Sequence, residues 1–228
     1  MVPLPRWIWI SGICLSAVAG MVNAICYMGM SHQVVSHLTG STSLLGLSLA
    51  NGDLPTLGFV WGVLIAFCLG ATISGVVIQD SALQLGRRYG VVLMFEAILI
   101  AASVPLFERG SVWGVWIAAM ACGLQNAMAT TYSGALLRTT HLTGMFTDLG
   151  IGLGHLIRGV PLQMRRLTLS GLVISGFLTG SFAGAVLFRA LGYSALFVPA
   201  GIVGLAGAGY LVYCHGRRVV ERRGGTLR

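Results

Sequence analysis

Few side chains in this sequence could hold a charge or exchange a proton among apolar neighbours: Glu96, Asp148 and the histidines His37, His141 and His155. A buried charge is costly in a membrane-like interior, so each of these groups is expected to have a partner or a task. Glu96 reads as a proton carrier or as a carboxyl bonded to a neighbouring helix, and Asp148 as a second proton- or ion-coupling group. His141, Asp148 and His155 recur at intervals of seven, which brings them near one helical face. The matching positions earlier in the chain hold His37, Leu44 and Asn51, so no metal site is expected.

Uncharged polar residues supply the rest of the candidate chemistry. Ser16, Gly20, Asn23, Tyr27 and Met30 follow steps of three and four, making a small and polar stripe on an otherwise apolar cylinder. Gly123, Asn126, Thr130 and Ser133 repeat that stripe. Asn23 and Asn126 would then lie near a twofold axis, lining a solute path or hydrogen-bonding between helices for about 1 kcal/mol each.

The sequences His37-Leu38-Thr39-Gly40 and His141-Leu142-Thr143-Gly144 also repeat. Glycine frees the backbone, and threonine can cap a helix that begins just afterward. If each segment enters the membrane extended, turns at Thr-Gly and returns as a short helix, two helix N-termini point inward from opposite faces. Their N–H groups would suit a solute carboxylate or phosphate. The alternative is a pair of short tilted helices with glycine for packing. The expected solute-binding set is Asn23, Tyr27, His37, Thr39, Gly40, Asn126, Thr130, His141, Thr143 and Gly144.

The elements that must carry these groups are apolar. Of 228 residues 56% are hydrophobic and 9% charged, against roughly 25% charged in a soluble domain. The mean hydropathy is +0.86. A hydrocarbon core about 30 Å thick needs about 20 apolar residues per helix. Suitable stretches run over Trp7–Gly29, Leu57–Ile78, Tyr89–Phe107, Val112–Leu136, Leu167–Leu187 and Tyr193–Cys214. The segments His37–Asn51 and His141–Ile157 are shorter and rich in Gly, Ser and Thr.

The chain reads as two copies of one pattern. Aligning Gly20-x-x-Asn23-Ala24 with Gly123-x-x-Asn126-Ala127 brings the two His-Leu-Thr-Gly motifs within one residue of register. Leu45-Gly46 then meets Leu149-Gly150, Phe67-x-x-Gly70 meets Phe177-x-x-Gly180, and Tyr89 meets Tyr193. An ordered series of this length signals duplication. The expected division is residues 1–108, residues 109–215 and a basic cytoplasmic tail over 216–228, together one membrane domain.

Charge placement sets the topology. All 14 basic residues are Arg. With six spans, both termini inside and neither short segment crossing, only Arg109 and Arg189 fall outside; if both cross, Arg87, Arg88 and Arg138 move outside along with Arg189. The positive-inside rule selects six spans. Three spans per copy is odd, so the copies are inverted, the plan on which many secondary transporters place a midplane site.

The remaining features are structural in expectation. Arg6 and the apolar run reaching Ala17-Val18-Ala19 imitate a cleavable leader, but the same helix recurs inside the chain, so retention is expected. Five scattered cysteines read as small buried hydrophobes. The net charge of +8 is explained by topology and the tail rather than by nucleic acid. Small-residue ladders (Gly62, Ala66, Gly70 and Ser74; Gly176, Gly180 and Gly184) allow close helix approach within the chain or in a homo-oligomer. No enzyme signature or cofactor motif is present.

Ala19-Gly20-x-x-Asn23-Ala24-x-x-Tyr27, Leu38-Thr39-Gly40, Cys122-Gly123-Leu124-Gln125-Asn126-Ala127 and Arg138-Thr139-Thr140-His141-Leu142-Thr143-Gly144 together resemble the YoaK family of bacterial membrane proteins. The resemblance implies a six-span inner-membrane protein, described in that family as an exporter of small metabolites. The family tends to carry Asp where this chain has Asn23, and Met-Thr-Gly-Asn where it has Leu38-Thr39-Gly40-Ser41. The sequence therefore points to an all-α polytopic bundle in the bacterial inner membrane that moves a small solute, an anionic one suiting the helix N-termini. The rival is a non-transporting protein that binds lipid or partner proteins.

Overall fold

A computed structural model describes residues 6–29, 35–78, 86–134 and 138–224, all of its regular structure helical. The helices are α1 (Arg6–Met28), α2 (Leu38–Asn51), α3 (Leu54–Val77), α4 (Arg87–Glu108), α5 (Val112–Tyr132), α6 (Leu142–Ile157), α7 (Met164–Leu191) and α8 (Phe197–Gly224). A 3-10 turn over Gly192–Leu196 joins the last two. Met30, Leu136 and the tail residues from 225 onward lie outside the described residues.

Among the described residues five helical stretches are long and apolar enough to cross a membrane: Trp7–Met28, Leu54–Val77, Arg87–Glu108, Val112–Tyr132 and the 53-residue stretch Met164–Gly216, which takes in α7 and most of α8. This is a multi-pass membrane protein. The sequence expectation of a helix starting at Tyr193 is corrected: Tyr193 sits on the connector, where its ring stacks on Phe107 at 4.8 Å, and α8 begins at Phe197.

Local chemistry sets the helix ends. Gly52 closes α2 in the left-handed region (φ 67°), and one residue later the Asp53 carboxylate accepts from the Thr56 N–H at 3.2 Å to start α3, with Pro55 in the first turn. The Thr56 hydrogen bonds hold the exposed Asp53 carboxyl below its usual range. Ser111 caps α5 through the Trp113 N–H.

Packing crosses between the two halves of the chain. Gly176, Gly180 and Gly184 on α7 rest in turn on Ile13, Ala17 and Met21 of α1, so those helices run parallel. Gly62 and Gly70 on α3 meet Trp116 and Met120 of α5, also parallel. The Trp7 ring lies against that of Tyr132 at a tilt, and the Leu15 carbonyl accepts from Gln125, which makes α1 and α5 antiparallel. Gly90 meets Leu211 while Gly204 meets Ala97, which makes α4 and α8 antiparallel. Helices α4 and α5 are joined by a tight turn at Gly110, where Phe107 packs on Gly114. The six long helices thus alternate in direction along the chain. The small-residue ladders are occupied within it.

Candidate functional site

The repeated motifs form helix starts of a kind the sequence did not predict. Thr39-Gly40 and Thr143-Gly144 lie inside the first turns of α2 and α6, and neither glycine has a positive φ. The expectation of a break at Thr-Gly, with threonine as cap, is therefore corrected. His37 and His141 occupy the N-cap positions without a side-chain cap bond. A Cβ on Gly40 or Gly144 would strike the imidazole of the histidine three residues earlier, so glycine makes room for that ring. Downstream hydroxyls turn back on their own helix: Thr42 donates to the Leu38 carbonyl at 2.8 Å, Ser43 to Thr39 at 3.2 Å and Thr147 to Thr143 at 3.0 Å. That satisfaction allows a hydroxyl-rich helix to face an apolar medium.

The two motifs do not meet. Leu38 packs on the cluster holding Val22, Ile25 and Phe107, whereas Leu142 packs on the one holding Ala129 and Val173, beside Trp9. Residues 9 and 22 of α1 are about 20 Å apart at 1.5 Å per residue. The single midplane site expected from the sequence is accordingly not assembled: its first-copy members (Asn23, Tyr27, His37, Thr39, Gly40) lie toward one end and His141, Thr143, Gly144 and Asp148 toward the other.

Asn23 has a positioning task. Its amide nitrogen donates to the Ala19 carbonyl at 2.7 Å, and its oxygen accepts from the Ser36 N–H at 3.1 Å and from the Ser36 hydroxyl at 3.0 Å. It fastens the approach to α2. In the second copy the neighbouring Gln125 does this work, accepting from the Thr139 hydroxyl at 3.2 Å and donating to the Leu15 carbonyl at 3.3 Å. Asn126, the sequence equivalent of Asn23, keeps a buried amide oxygen with no partner among the described residues. Thr130 donates to the Asn126 main-chain carbonyl at 2.7 Å. Tyr27, His37 and Thr39 are exposed. Glu96 is 1% exposed inside α4, and one of its carboxyl oxygens has no hydrogen-bond partner among the described residues.

A wide opening lies beside the second motif. A cavity of about 1030 Å³ runs between the first turns of α6, the 158–163 connection and the start of α7. Arg138, His141, Gln163, Arg165 and Arg166 line it together with Gly144, Met145, Leu162, Met164 and Leu169. Asp148 also faces it, paired with the Arg166 guanidinium at 2.6 Å. Behind that pair the buried Ser170 hydroxyl lies 3.5 Å from Asp148 and 3.3 Å from the Met145 sulfur. A smaller cavity of about 120 Å³ beside Asp148 and His155 adjoins it. Arg165, Arg166 and Gln163 were legible only as topological charges and a loop residue. The signal available was the Arg doublet opening an apolar helix.

An all-helical bundle with membrane-length apolar helices and a basic cavity at one end defines the class: a multi-pass α-helical membrane protein. A family model described as Protein of unknown function (DUF1275) matches residues 11–209, and the chain belongs to that family. No curated protein and no solved structure matches it.

Proposed function

We propose that this protein is a secondary transporter, an exporter, of a small anionic metabolite in the bacterial inner membrane. Its six spans form two inverted three-span repeats, α1, α3 and α4 followed by α5, α7 and α8, with both termini cytoplasmic. The alternating directions of the long helices support this reading, as does the resemblance to the YoaK family. Because α1 and α3 run oppositely, α2 begins and ends toward one face; α6 does so toward the other. At about 21 Å, given 1.5 Å per residue, α2 is also shorter than the membrane core.

The observation that carries the reading is the α6–α7 cavity, whose guanidinium groups and α6 N-terminal turn gather positive potential. It opens on the Arg-rich end, the cytoplasmic one by the positive-inside rule, which suits entry of cargo for export. The entry site accordingly lies near that face rather than at the midplane. Asp148 is committed to Arg166, which leaves the buried Glu96 as the group proposed to carry the coupling proton. An unbiased comparison of metabolites in overexpressing and deletion strains tests the reading: one anionic metabolite should accumulate inside the deletion strain and in the medium of the overexpressing one. Identical profiles in both strains would count against it.

A further inference from the structure

We infer that the α6–α7 cavity binds an amphiphilic organic anion and that Asp148 is its built-in competitor, occupying Arg166 whenever the site is empty. Among the described lining residues Asp148 is the one carboxylate, set against Arg138, Arg165 and Arg166. Guanidinium groups bind carboxylate and phosphate by the same paired N–H geometry. A ligand head of either kind therefore offers Arg166 what Asp148 already gives it at 2.6 Å. The burial of the pair is uneven: the Asp148 side chain is 13% exposed and Arg166 59%. The carboxylate is fixed at the back while the guanidinium reaches in from the mouth, free to swing to an incoming anion.

Met145, Leu162, Met164 and Leu169 supply an apolar wall beside these charges, so the fitting ligand has an apolar body as well as an anionic head. The other copy lacks the device. Leu44 stands at the position of Asp148, Pro55 and Thr56 at those of Arg165 and Arg166, and a tight Gly52–Asp53 turn replaces the longer connection. The anion site thus belongs to the Arg-rich end alone. Taking this anion as cargo rests on the transport reading; its binding and its rivalry with Asp148 do not. A free organic anion and an anionic phospholipid headgroup share this chemistry.

Titration calorimetry of the full-length protein with phenyl phosphate, in phosphatidylcholine nanodiscs, tests the inference. The wild type should bind, Asp148→Asn and Asp148→Ala should each bind about fivefold more tightly, the upper range for a partly exposed ion pair, and Arg166→Gln should bind more weakly. Repeating the titration with phosphatidylglycerol in the discs identifies the source: competition marks the headgroup as occupant, and unchanged affinity marks a free anion. The proposal is overturned if the wild type and both Asp148 variants fail to bind, or if removing the carboxylate leaves affinity unchanged or lower. Tighter binding by the Asp148 variants without any flux in liposomes would refute transport and leave this site standing.

Discussion

The carbonyl oxygen of Ala17 occupies the space where a side chain on Gly180 would begin. The Met120 carbonyl stands in the same relation to Gly70, so one contact is built twice, each time between different halves of the chain. Because the obstacle is backbone, it cannot rotate away. Gly180→Ala and Gly70→Ala should each cost at least the roughly 1–3 kcal/mol of ordinary overpacking, read as lower thermal stability and yield in detergent. Gly46→Ala, where a Cβ meets nothing within 4 Å, should leave both unchanged.

Asn23 and Asn126 share a sequence motif but not a task. Asn23→Ala removes the acceptor for the buried Ser36 N–H and hydroxyl, at a cost of about 1–3 kcal/mol. Gln125→Ala should cost a similar amount by freeing Thr139. Asn126→Ala should cost clearly less. Equal losses at Asn23 and Asn126 in thermal unfolding would contradict this division of labour.

The all-α class and the eight helical segments among the described residues were legible because apolar periodicity and repeated small residues encode them directly. The site was not. His-Leu-Thr-Gly suggested a glycine turn, yet the capping histidine ring needs the same glycine for space, and sequence alone cannot separate these uses. Asn23 to Ser36 and Gln125 to Thr139 join residues 13 and 14 positions apart, each pairing a helix residue with one beyond the end of that helix, which no pattern in the sequence marks. The cavity arises from the difference between the two connections, one of two residues and one of six, which an alignment of the copies tends to hide.

That difference separates the two motif glycines. A leucine at Gly144 would displace His141 and fill the cavity that both residues line, whereas one at Gly40 disturbs only the exposed His37 ring. Anion binding should fall about tenfold or more in Gly144→Leu, the scale of 1.4 kcal/mol, and little in Gly40→Leu. Equal losses, measured by calorimetry on variants with wild-type helicity, would place the site elsewhere.

Inverted repeats require the turns before α3 and α7 to face opposite sides. On a Cys-free background, Asp53→Cys should react with a membrane-impermeant maleimide from outside the cell, and Gln163→Cys only after the cytoplasmic face is opened. Labelling of both from the same side would refute the inversion.

Flux of an anionic metabolite through the purified protein in liposomes tests transport most directly. Vesicles loaded with a cell metabolite extract, under an imposed proton gradient, should lose one or a few organic anions. Arg166→Gln should slow that loss, and Glu96→Gln should make the remainder independent of the gradient. Retention of every metabolite at the rate of protein-free vesicles, with the protein correctly inserted and folded, would contradict the account.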